Sequence, residues 1–390
     1  MKERTFWPII ILVFFSALLT SCGKLTVPEA EEKLQAYLDR VVSEDAQLLN
    51  AVLLVDSESK GLHWAGASGL AVPESGTAMT AQHPFLIASV TKSFTSVTVA
   101  MLHEKGLLDF EDFIAPYLLE DIISDLHVLD GEDYSDVISI QHLLNHTSGL
   151  PDYFTLQPES GPSFIDLVLE EPSHFWAPEE MIQFSKENLK PLFAPGDGFH
   201  YSDTNYQLLG LIIEKVTGKQ LHKVFQEYIW EPLEMSHTYL HLRSEPTDPS
   251  TLEMAHLILN GVDVTNFTSL SAAWADGGIV STVEDLRTFI YALLHNLLIQ
   301  QETMRAMQTW IPNEKGIYYG FGLMLFKLPE LSPFLFSYPD IWGHPGSTGS
   351  YLYYCPELDT VLAGTMNQSE YEEEHINVLL KVLDIIVSIN

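Results

Sequence analysis

Basic residues are scarce in this chain of 390 residues. Lysine and arginine together number 19, against 53 aspartate and glutamate residues, which gives a formal charge of -34. Such a surface repels a phosphate backbone, so no nucleic-acid partner is expected. The hydrophobic content of 46% and the chain length are sufficient for a large core, so the composition indicates a folded globular protein.

Cysteine is almost absent, with only Cys22 and Cys355 in the chain. If Cys22 is acylated, as argued below, no intrachain disulfide is possible and packing alone must hold the fold. Cys355 ends the apolar, tyrosine-rich run 351–355, which is typical of a strand that packs on both faces. We therefore predict a buried structural thiol there, because nothing nearby suggests a lowered pKa.

The longest hydrophobic run lies at the N-terminus. The run from Phe6 to Leu19 has about 14 residues and contains Pro8, whereas a bilayer-spanning helix needs about 20 apolar residues. Basic residues at positions 2 and 4 precede it. The pattern predicts a cleaved export signal rather than a permanent transmembrane segment.

The residues just before Cys22 indicate the kind of export signal. Leu-Thr-Ser-Cys at 19–22 resembles a bacterial lipobox, which implies removal of the signal peptide 1–21 and acylation of Cys22. The mature protein is then an exported, membrane-anchored lipoprotein at the periplasmic face or cell surface, with residues 22–29 as a tether. Gly23 resembles lipoproteins that are sent on to an outer membrane. The alternative is an ordinary secretory signal in which Cys22 has no role.

Strand patterns lie near both ends of the chain. A helix is predicted over 30–42, a hairpin over 48–55 and 62–67, and later strands and a last helix at 320–327, 341–344, 350–355, 360–366 and 374–387. The middle shows helical segments broken by proline and glycine, at 93–105, 138–145, 206–217, 221–229 and 283–294.

This order of segments predicts an α+β fold. One antiparallel sheet is built from both chain ends and flanked by the N- and C-terminal helices, with a mainly helical inserted lobe. We place the sheet lobe at about 30–90 and 270–390 and the helical lobe at about 91–269. A small-molecule site is expected in the cleft between them.

Ser89 and Lys92 form the strongest local signal for catalysis. Ser89 lies where the extended segment 85–87 gives way to a helical run, and residues three apart share a face of a helix. Lys92 then lies near the hydroxyl, and a partly desolvated lysine is neutral enough to take its proton. The same spacing recurs at Ser57 and Lys60 in a polar turn, where we expect solvent exposure and no fixed geometry.

Three motifs follow one another along the chain: Ser-x-x-Lys at 89–92, Tyr-Ser-Asp at 201–203 and His-Pro-Gly at 344–346. Their order resembles the serine penicillin-recognising hydrolases, the family of class C β-lactamases and D-alanyl-D-alanine carboxypeptidases. Segments 143–151, 209–218 and 277–282 also resemble the family. The likeness therefore covers about residues 30–390.

The resemblance implies an acyl-enzyme mechanism that uses no cofactor and no metal ion. Ser89 is acylated, Lys92 assists its deprotonation, and Tyr201 passes the proton to the leaving group and later takes one from water. Whether Lys92 or Tyr201 is the general base stays open. The backbone N–H groups of Ser89 and Ser347 form the oxyanion hole. The residues that line the substrate site are Asp203, His344, Gly346 and Ser347.

Two residues depart from the family's pattern. Asp203 stands where β-lactamases and peptidases have Asn, and a carboxylate only accepts hydrogen bonds whereas an amide also donates. His344 stands where β-lactamases have Lys, as in some carboxypeptidases and esterases of the family, and Pro345 removes the usual hydroxyl. Both changes argue against an efficient β-lactamase.

The leading hypothesis is a D-alanyl-D-alanine carboxypeptidase-like hydrolase that acts on a small peptide, amide or ester, with cell-wall peptides among its candidates. Its rivals are an esterase or D-aminopeptidase, which Asp203 favours, a weak β-lactamase, and a non-catalytic binding protein that kept the fold. A free C-terminal carboxylate usually requires an arginine, and no arginine of the mature chain lies beside the His344 motif in sequence.

Two histidine pairs at helical spacing, 142 with 146 and 237 with 241, are alternative sites for chemistry. No metal site is expected at either pair, because no third ligand converges in sequence. His146 begins a His-Thr-Ser-Gly element that we expect to close a helix. The sequence contains no Gly-x-Ser-x-Gly motif, which argues against an α/β-hydrolase.

Overall fold

The computed structural model describes residues 24–390, so Cys22 and the predicted signal peptide lie outside the described residues. The α-helices of the described part are α1 Val27–Glu44, α2 Thr91–Glu104, α3 Glu120–Ile123, α4 Ile140–Leu144, α5 Phe164–Glu170, α6 Pro178–Asn188, α7 Asp203–Thr217, α8 Leu221–Phe225, α9 Val283–Leu294, α10 Gln301–Met307, α11 Leu328–Leu331 and α12 Glu374–Val387. None of these helices combines the length and the apolar character needed to cross a membrane.

The strands of residues 24–390 are short outside the central sheet. They are β1 Asn50–Ser57, β2 Leu62–Val72, β3 Thr77–Ala78, β4 Phe85–Leu86, β5 Val128–Leu129, β6 Glu132–Asp133, β7 Tyr239–Leu240, β8 Ile258–Leu259, β9 Val262–Asp263, β10 Ile279–Ser281, β11 Ile311–Glu314, β12 Ile317–Tyr319, β13 Met324–Phe326, β14 Ile341–Gly346, β15 Ser350–Cys355 and β16 Thr360–Thr365.

Nine strands form one antiparallel sheet in the order β11-β12-β13-β14-β15-β16-β1-β2-β3. The two ends of the chain meet at its centre, where β1 pairs with β16 in the register Val52 to Thr365 and Ser57 to Thr360. A second sheet of three strands, β4-β10-β7, leads directly to Ser89. The predicted α+β class, with an antiparallel sheet built from both chain ends, is confirmed.

Helices cover both faces of the central sheet. Leu53 and Val55 of β1 pack with α1 and α12 on one face, in a core that includes Leu38 and Val382. Val52 and Leu54 point to the other face, where α2 and α9 pack and where the rings of Phe94 and Phe289 stack with centroids 3.7 Å apart. β1 is therefore buried on both sides, which explains its continuous apolar run.

Cys355 is buried in the core beside α1 and α12, as predicted. Burial raises the pKa of its thiol to about 11, so the thiol stays protonated at neutral pH. Tyr351 and Tyr353 stack on the same face of β15, with centroids 6.0 Å apart, and Tyr354 packs against the core on the opposite face. The tyrosine run is thus part of the sheet's packing on both faces.

The described part of the predicted tether, residues 24–29, contacts the C-terminus of the chain and contains the start of α1. Leu25 N donates to Ser388 O at 2.7 Å and Asn390 N donates to Leu25 O at 3.1 Å, so the N-terminal segment pairs with the C-terminus. Helix α1 already begins at Val27, because Thr26 and Glu29 form a capping box. The helix start lies three residues before the predicted one.

The second Ser-x-x-Lys copy is not exposed as expected. Ser57 is fully buried at the end of β1, and its Oγ donates to Leu358 O at 3.2 Å. Lys60 turns away and donates to Ile389 O at 3.0 Å. The turn composition predicted the chain reversal correctly, but the serine still belongs to the buried strand. Its hydroxyl is held in packing and has no lysine beside it.

Candidate active site

Ser89 lies in a tight turn, Ala88–Val90, between β4 and α2. Ala88 has φ of 45°, a left-handed backbone conformation that alanine seldom adopts. Ile87 holds the turn in place, since its N–H donates to Ile279 O at 2.9 Å and its carbonyl accepts from Ser350 Oγ at 2.7 Å. Such over-determined strain is common at active sites, and here it presents a half-buried serine at the start of a helix.

Lys92 is fully buried one turn further along, as the helical spacing predicted. Its Nζ donates to Ser89 Oγ at 3.1 Å and to the carbonyl of Asp276 at 2.9 Å, and it lies 2.6 Å from Oδ1 of Asp203. The ammonium therefore has three oxygen partners, and one of them is the nucleophile.

Lys92 is not the neutral lysine that its burial suggested. Desolvation lowers the pKa of Lys92, but the nearby charge of Asp203 opposes it and the net shift of the pKa is upward. The free enzyme thus holds Lys92 as an ammonium. It becomes a base only after passing a proton to a neighbour.

Tyr201 is buried next to Lys92 and Ser89. The Nζ of Lys92 lies 5.0 Å from the centroid of the Tyr201 ring. Burial raises the pKa of Tyr201 well above 10, while the charge of Lys92 and the hydrogen bonds oppose that shift. Both candidate bases are protonated at neutral pH, so the structure leaves the choice between them open.

His146 supports the Tyr201 motif, a role that was not assigned from the sequence. Its Nδ1 accepts from Ser202 N at 3.2 Å and from Asn205 Nδ2 at 3.0 Å, and its ring lies 4.4 Å from that of Tyr201. Burial, followed by the charge of Lys92, lowers the pKa of His146 far below 6.5. A neutral imidazole thus holds the residue between Tyr201 and Asp203. The expected helix closure is also seen, because His146 follows α4 with φ of 60°.

Two further buried carboxyl groups lie near Asp203. Asp152 accepts from Asp203 N at 2.9 Å, and burial followed by the charge of Asp203 raises its pKa to about 7. Asp276 accepts from Tyr153 Oη at 2.6 Å, and the same two causes raise its pKa to about 6. Of the three, Asp203 contacts the ammonium of Lys92 through its carboxylate, Asp276 contacts it through its backbone carbonyl, and Asp152 contacts the backbone of Asp203. Asp152 directly follows a segment that resembled the family and Asp276 directly precedes Gly277-Gly278, but neither carboxylate was predicted.

His344 lies on β14 and is buried beside this group. Its Nδ1 donates to Pro345 O at 2.6 Å, so its Nε2 accepts from Tyr319 Oη at 3.1 Å. Burial, followed by the charge of Lys92, lowers the pKa of His344 to about 3. His344 is therefore a neutral residue with a fixed tautomer, and it brings no positive charge to the site.

Gly346 ends the same strand against the Ser89 turn, and Ser347 begins the turn that follows. A Cβ added at Gly346 would meet Ser350 Oγ at 2.2 Å and Ile87 O at 2.7 Å, so only glycine allows this approach. Thr348 Oγ1 donates to Leu86 O at 3.2 Å and fixes the loop after Ser347. The predicted site residues, from Ser89 to Ser347, are thus drawn from segments that meet in one place.

The described arginines are engaged outside the catalytic group. Arg243 donates to two backbone carbonyls, of Trp176 and Ser271, at 3.1 Å each. Arg287 pairs with Asp56, and Arg40 lies 3.9 Å from Glu44 on the surface of α1. Arg305 lies in the last turn of α10.

The predicted histidine pairs do not share a ligand position. His142 Nδ1 accepts from Ser139 N at 3.2 Å, and His237 Nδ1 lies 2.8 Å from Thr251 Oγ1. Among residues 24–390 one group has metal-ligating atoms within reach of one another, formed by Glu74, His256 and Asp263. It contains neither pair.

The chain belongs to the beta-lactamase family, whose model matches residues 38–384. It is 29% identical over 308 residues to Penicillin-binding protein 4* of Bacillus subtilis, covering 74% of this chain but 62% of that protein's length. The chain thus spans less than two thirds of this curated relative.

Two solved structures agree with this fold over nearly their whole lengths. A D-stereospecific amidohydrolase from Streptomyces sp. matches with a TM-score of 0.70 and 26% identity over 88% of this chain and 97% of its own. The D-amino acid amidase from Ochrobactrum anthropi SV3, complexed with L-phenylalanine amide, matches with a TM-score of 0.74 and 25% identity over 92% and 98%. The family comprises serine hydrolases, so the resemblance inferred from the three motifs is confirmed.

Proposed function

We propose that this protein forms an acyl-enzyme on Ser89 and hydrolyses amide bonds adjoining D-amino acids. The observation that carries the proposal is the position of Lys92, whose Nζ contacts both Ser89 Oγ and the carboxylate of Asp203. A hydroxyl beside a lysine that has its own proton acceptor is an activated nucleophile.

The chemistry follows from these contacts. Proton transfer from Lys92 to Asp203 frees the amine to accept the Ser89 proton as Oγ bonds to the substrate carbonyl carbon. The oxyanion is stabilised by the N–H groups of Ser89 and Ser347. Tyr201 donates its proton to the leaving nitrogen as the C–N bond breaks, and is reprotonated through Lys92. Water then attacks the ester by the reverse route and releases the acid.

Charge favours an amide substrate without a free carboxylate. Lys92 is already paired with Asp203, and no hydrogen bond or ion pair of a described arginine reaches this group. A C-terminal carboxylate of the substrate would therefore lack a free cation to pair with. Similarity to a D-stereospecific amidohydrolase and a D-amino acid amidase supports the same substrate class.

A D,D-carboxypeptidase is the second candidate, because the chain resembles a penicillin-binding protein. An esterase of the same family uses the same Ser89 chemistry and is the third. The three candidates differ in what they require on the leaving side of the bond: an amide nitrogen, a carboxylate-bearing amino acid or an alcohol.

The test is intact mass after exposure to a fluorophosphonate and, separately, to a penicillin. Wild type and Ser57→Ala are expected to gain one fluorophosphonate adduct and Ser89→Ala none, because Ser57 is a serine of the same motif without a lysine contact. Turnover of D-phenylalanine amide above D-alanyl-D-alanine peptides would support the amidase. The reverse preference would establish the carboxypeptidase, and no adduct at Ser89 would refute the proposal in favour of a binding protein.

We also propose export as a lipoprotein anchored through Cys22. The proposal rests on the lipobox-like residues 19–22, and Lys24, two residues after Cys22 in sequence, is exposed. Mass spectrometry of the N-terminal peptide from membrane-extracted protein tests the anchor, and Cys22→Ser is expected to move the protein to the soluble fraction. An unmodified Cys22 in that peptide would contradict it.

A further inference from the structure

Two phenylalanines between α11 and β14 are exposed to an unusual degree. Phe334 is 71% exposed and Phe336 is 78% exposed, more than any other phenylalanine of residues 24–390. Leu335 between them is buried, and Ser332 Oγ accepts from Phe334 N at 3.3 Å. The segment is therefore anchored while both phenyl rings face outward. Paired exposed aromatic rings on a fixed segment indicate a contact surface.

The segment around Leu25 lies at the same end of the molecule as the two phenylalanines. Tyr338 Oη, two residues after Phe336, donates to Asp384 Oδ1 at 2.6 Å near the end of α12. One turn later, Ser388 O accepts from Leu25 N at 2.7 Å. We call this surface, which comprises Leu25, Phe334, Phe336 and the 62% exposed Val387, the basal end.

The catalytic cleft opens at the opposite end of the sheet. Strand β14 starts at Ile341, just after Tyr338, and ends at Gly346 against the Ser89 turn. Six residues at about 3.3 Å each separate the two ends of this strand by roughly 17–20 Å. Strand β16 runs the same way, from Thr360 beside Ser57 to Thr365. The sheet thus separates the basal end from the cleft.

We infer that the basal end docks on a lipid bilayer, with Phe334 and Phe336 at the interface and the Ser89 cleft turned away from the membrane. The inference rests on the proposed lipid anchor. Cys22 and Leu25 are three residue steps apart, a span of at most about 11 Å. Acyl chains that enter the bilayer from Cys22 therefore bring the basal end to the membrane surface. An anchor alone leaves orientation free, whereas aromatic rings at the headgroup level fix it.

The charged residues at the basal end do not form a basic patch that would attract anionic lipid. Lys24 and Lys60 lie at the basal end, together with the acidic residues Asp340 and Asp384. Because both signs are present, docking is expected to depend on the phenyl rings rather than on anionic lipid. Added salt should therefore change it little.

The experiment uses acylated protein reconstituted in vesicles of phosphatidylethanolamine and phosphatidylglycerol. A fluorophore on Phe336→Cys is expected to be quenched by nitroxide-labelled lipid, because the probe sits at the interface. A fluorophore on Phe113→Cys, a 54% exposed position of the helix-rich region, serves as the matched control and is expected to stay unquenched. In unacylated protein, changing both Phe334 and Phe336 to Ser should weaken vesicle partitioning by about tenfold or more.

Equal quenching at both positions, or none at Phe336→Cys, would overturn the docking, as would an unacylated Cys22 in the reconstituted sample. Concentration-dependent dimers that the two serine substitutions abolish would replace the bilayer with a second copy of the chain. Fluorophosphonate labelling of Ser89 should be the same in all these variants. Failure of the docking and failure of the proposed hydrolase function are thereby told apart.

Discussion

The Nζ of Lys92 lies 2.6 Å from Oδ1 of Asp203, closer than the 3.1 Å that separates it from the nucleophile Ser89 Oγ. The carboxylate therefore determines the proton state of the lysine. Its charge is the largest influence that opposes the effect of burial and raises the pKa of Lys92.

Replacing Asp203 with Asn should shift the pH dependence of acylation downward. Burial lowers the pKa of Lys92, and the substitution removes the charge that most strongly opposes this effect. A neutral Lys92 therefore forms at a lower pH than in the wild type. We expect the acidic limb of the acylation rate to move by at least about one pH unit. Rates of fluorophosphonate labelling between pH 5 and 10 measure it. If the acidic limb of the pH–rate profile stays in place, the protonation state of Lys92 does not limit acylation.

Asp152 should make the protein less stable as the pH rises. Its folded pKa of about 7 lies above the unfolded value of about 3.9, so its contribution is full below about pH 4 and is lost as the pH rises through 7. Each unit of difference is worth roughly 1.4 kcal/mol. Asp152→Asn should flatten the fall in unfolding free energy between pH 5 and 8 in urea titrations. An unchanged slope would assign the effect to another group.

His375 should make the protein less stable as the pH falls, the opposite of the effect of Asp152. It is buried on α12 and pairs with Tyr353 Oη at 2.8 Å, and burial lowers its pKa to about 3. Its contribution is therefore full above about pH 6.5 and is lost as the pH falls toward 3. His375→Gln should reduce the loss of stability between pH 6.5 and 4.5. His174→Gln, at a histidine whose side chain is 36% exposed, is the control, and equal effects of the two substitutions would refute the assignment.

Gly346→Ala should abolish acylation of Ser89 without unfolding the protein. The added Cβ meets the Ile87 carbonyl at 2.7 Å and must push β14 away from the Ser89 turn. Gly277→Ala is the matched control, because a Cβ there lies no closer than 3.7 Å to Ala273 and Ala88. Fluorophosphonate labelling of both variants measures acylation of Ser89, and circular dichroism shows whether each variant is folded. Full labelling of Gly346→Ala would show that the strand does not shape the site.

Local patterns predicted the elements that carry their own signal. The boundaries of α9, β15 and α12 were predicted correctly, because a periodic apolar stripe or a short apolar run ends at a clear change of composition. Helical spacing predicted that Lys92 lies beside Ser89, and the resemblance to the family implied that Asp203 belongs to the same site. Ser57 was predicted wrongly as exposed, since the sequence of a turn does not show which strand residues its neighbours cover.

The carboxylates around Lys92 required the tertiary structure. Asp152 and Asp276 lie more than a hundred residues apart in sequence, and each reaches the site through a long-range contact, Asp152 with Asp203 and Asp276 with Lys92. No local pattern distinguishes a buried aspartate from the many on this acidic surface. A neutral Lys92 was predicted from its burial alone. In the structure the charge of Asp203 is the largest influence that opposes burial, and the net shift of the pKa is upward.

The pairing of β1 with β16 also affects the order of folding. Ser57 and Thr360 bond across 303 positions of the chain, so the first strand has no partner on that side until almost the whole polypeptide is present. Contacts of such long range slow folding. In the export that we propose, the central sheet would therefore not close until the segment that contains β16 had crossed the membrane.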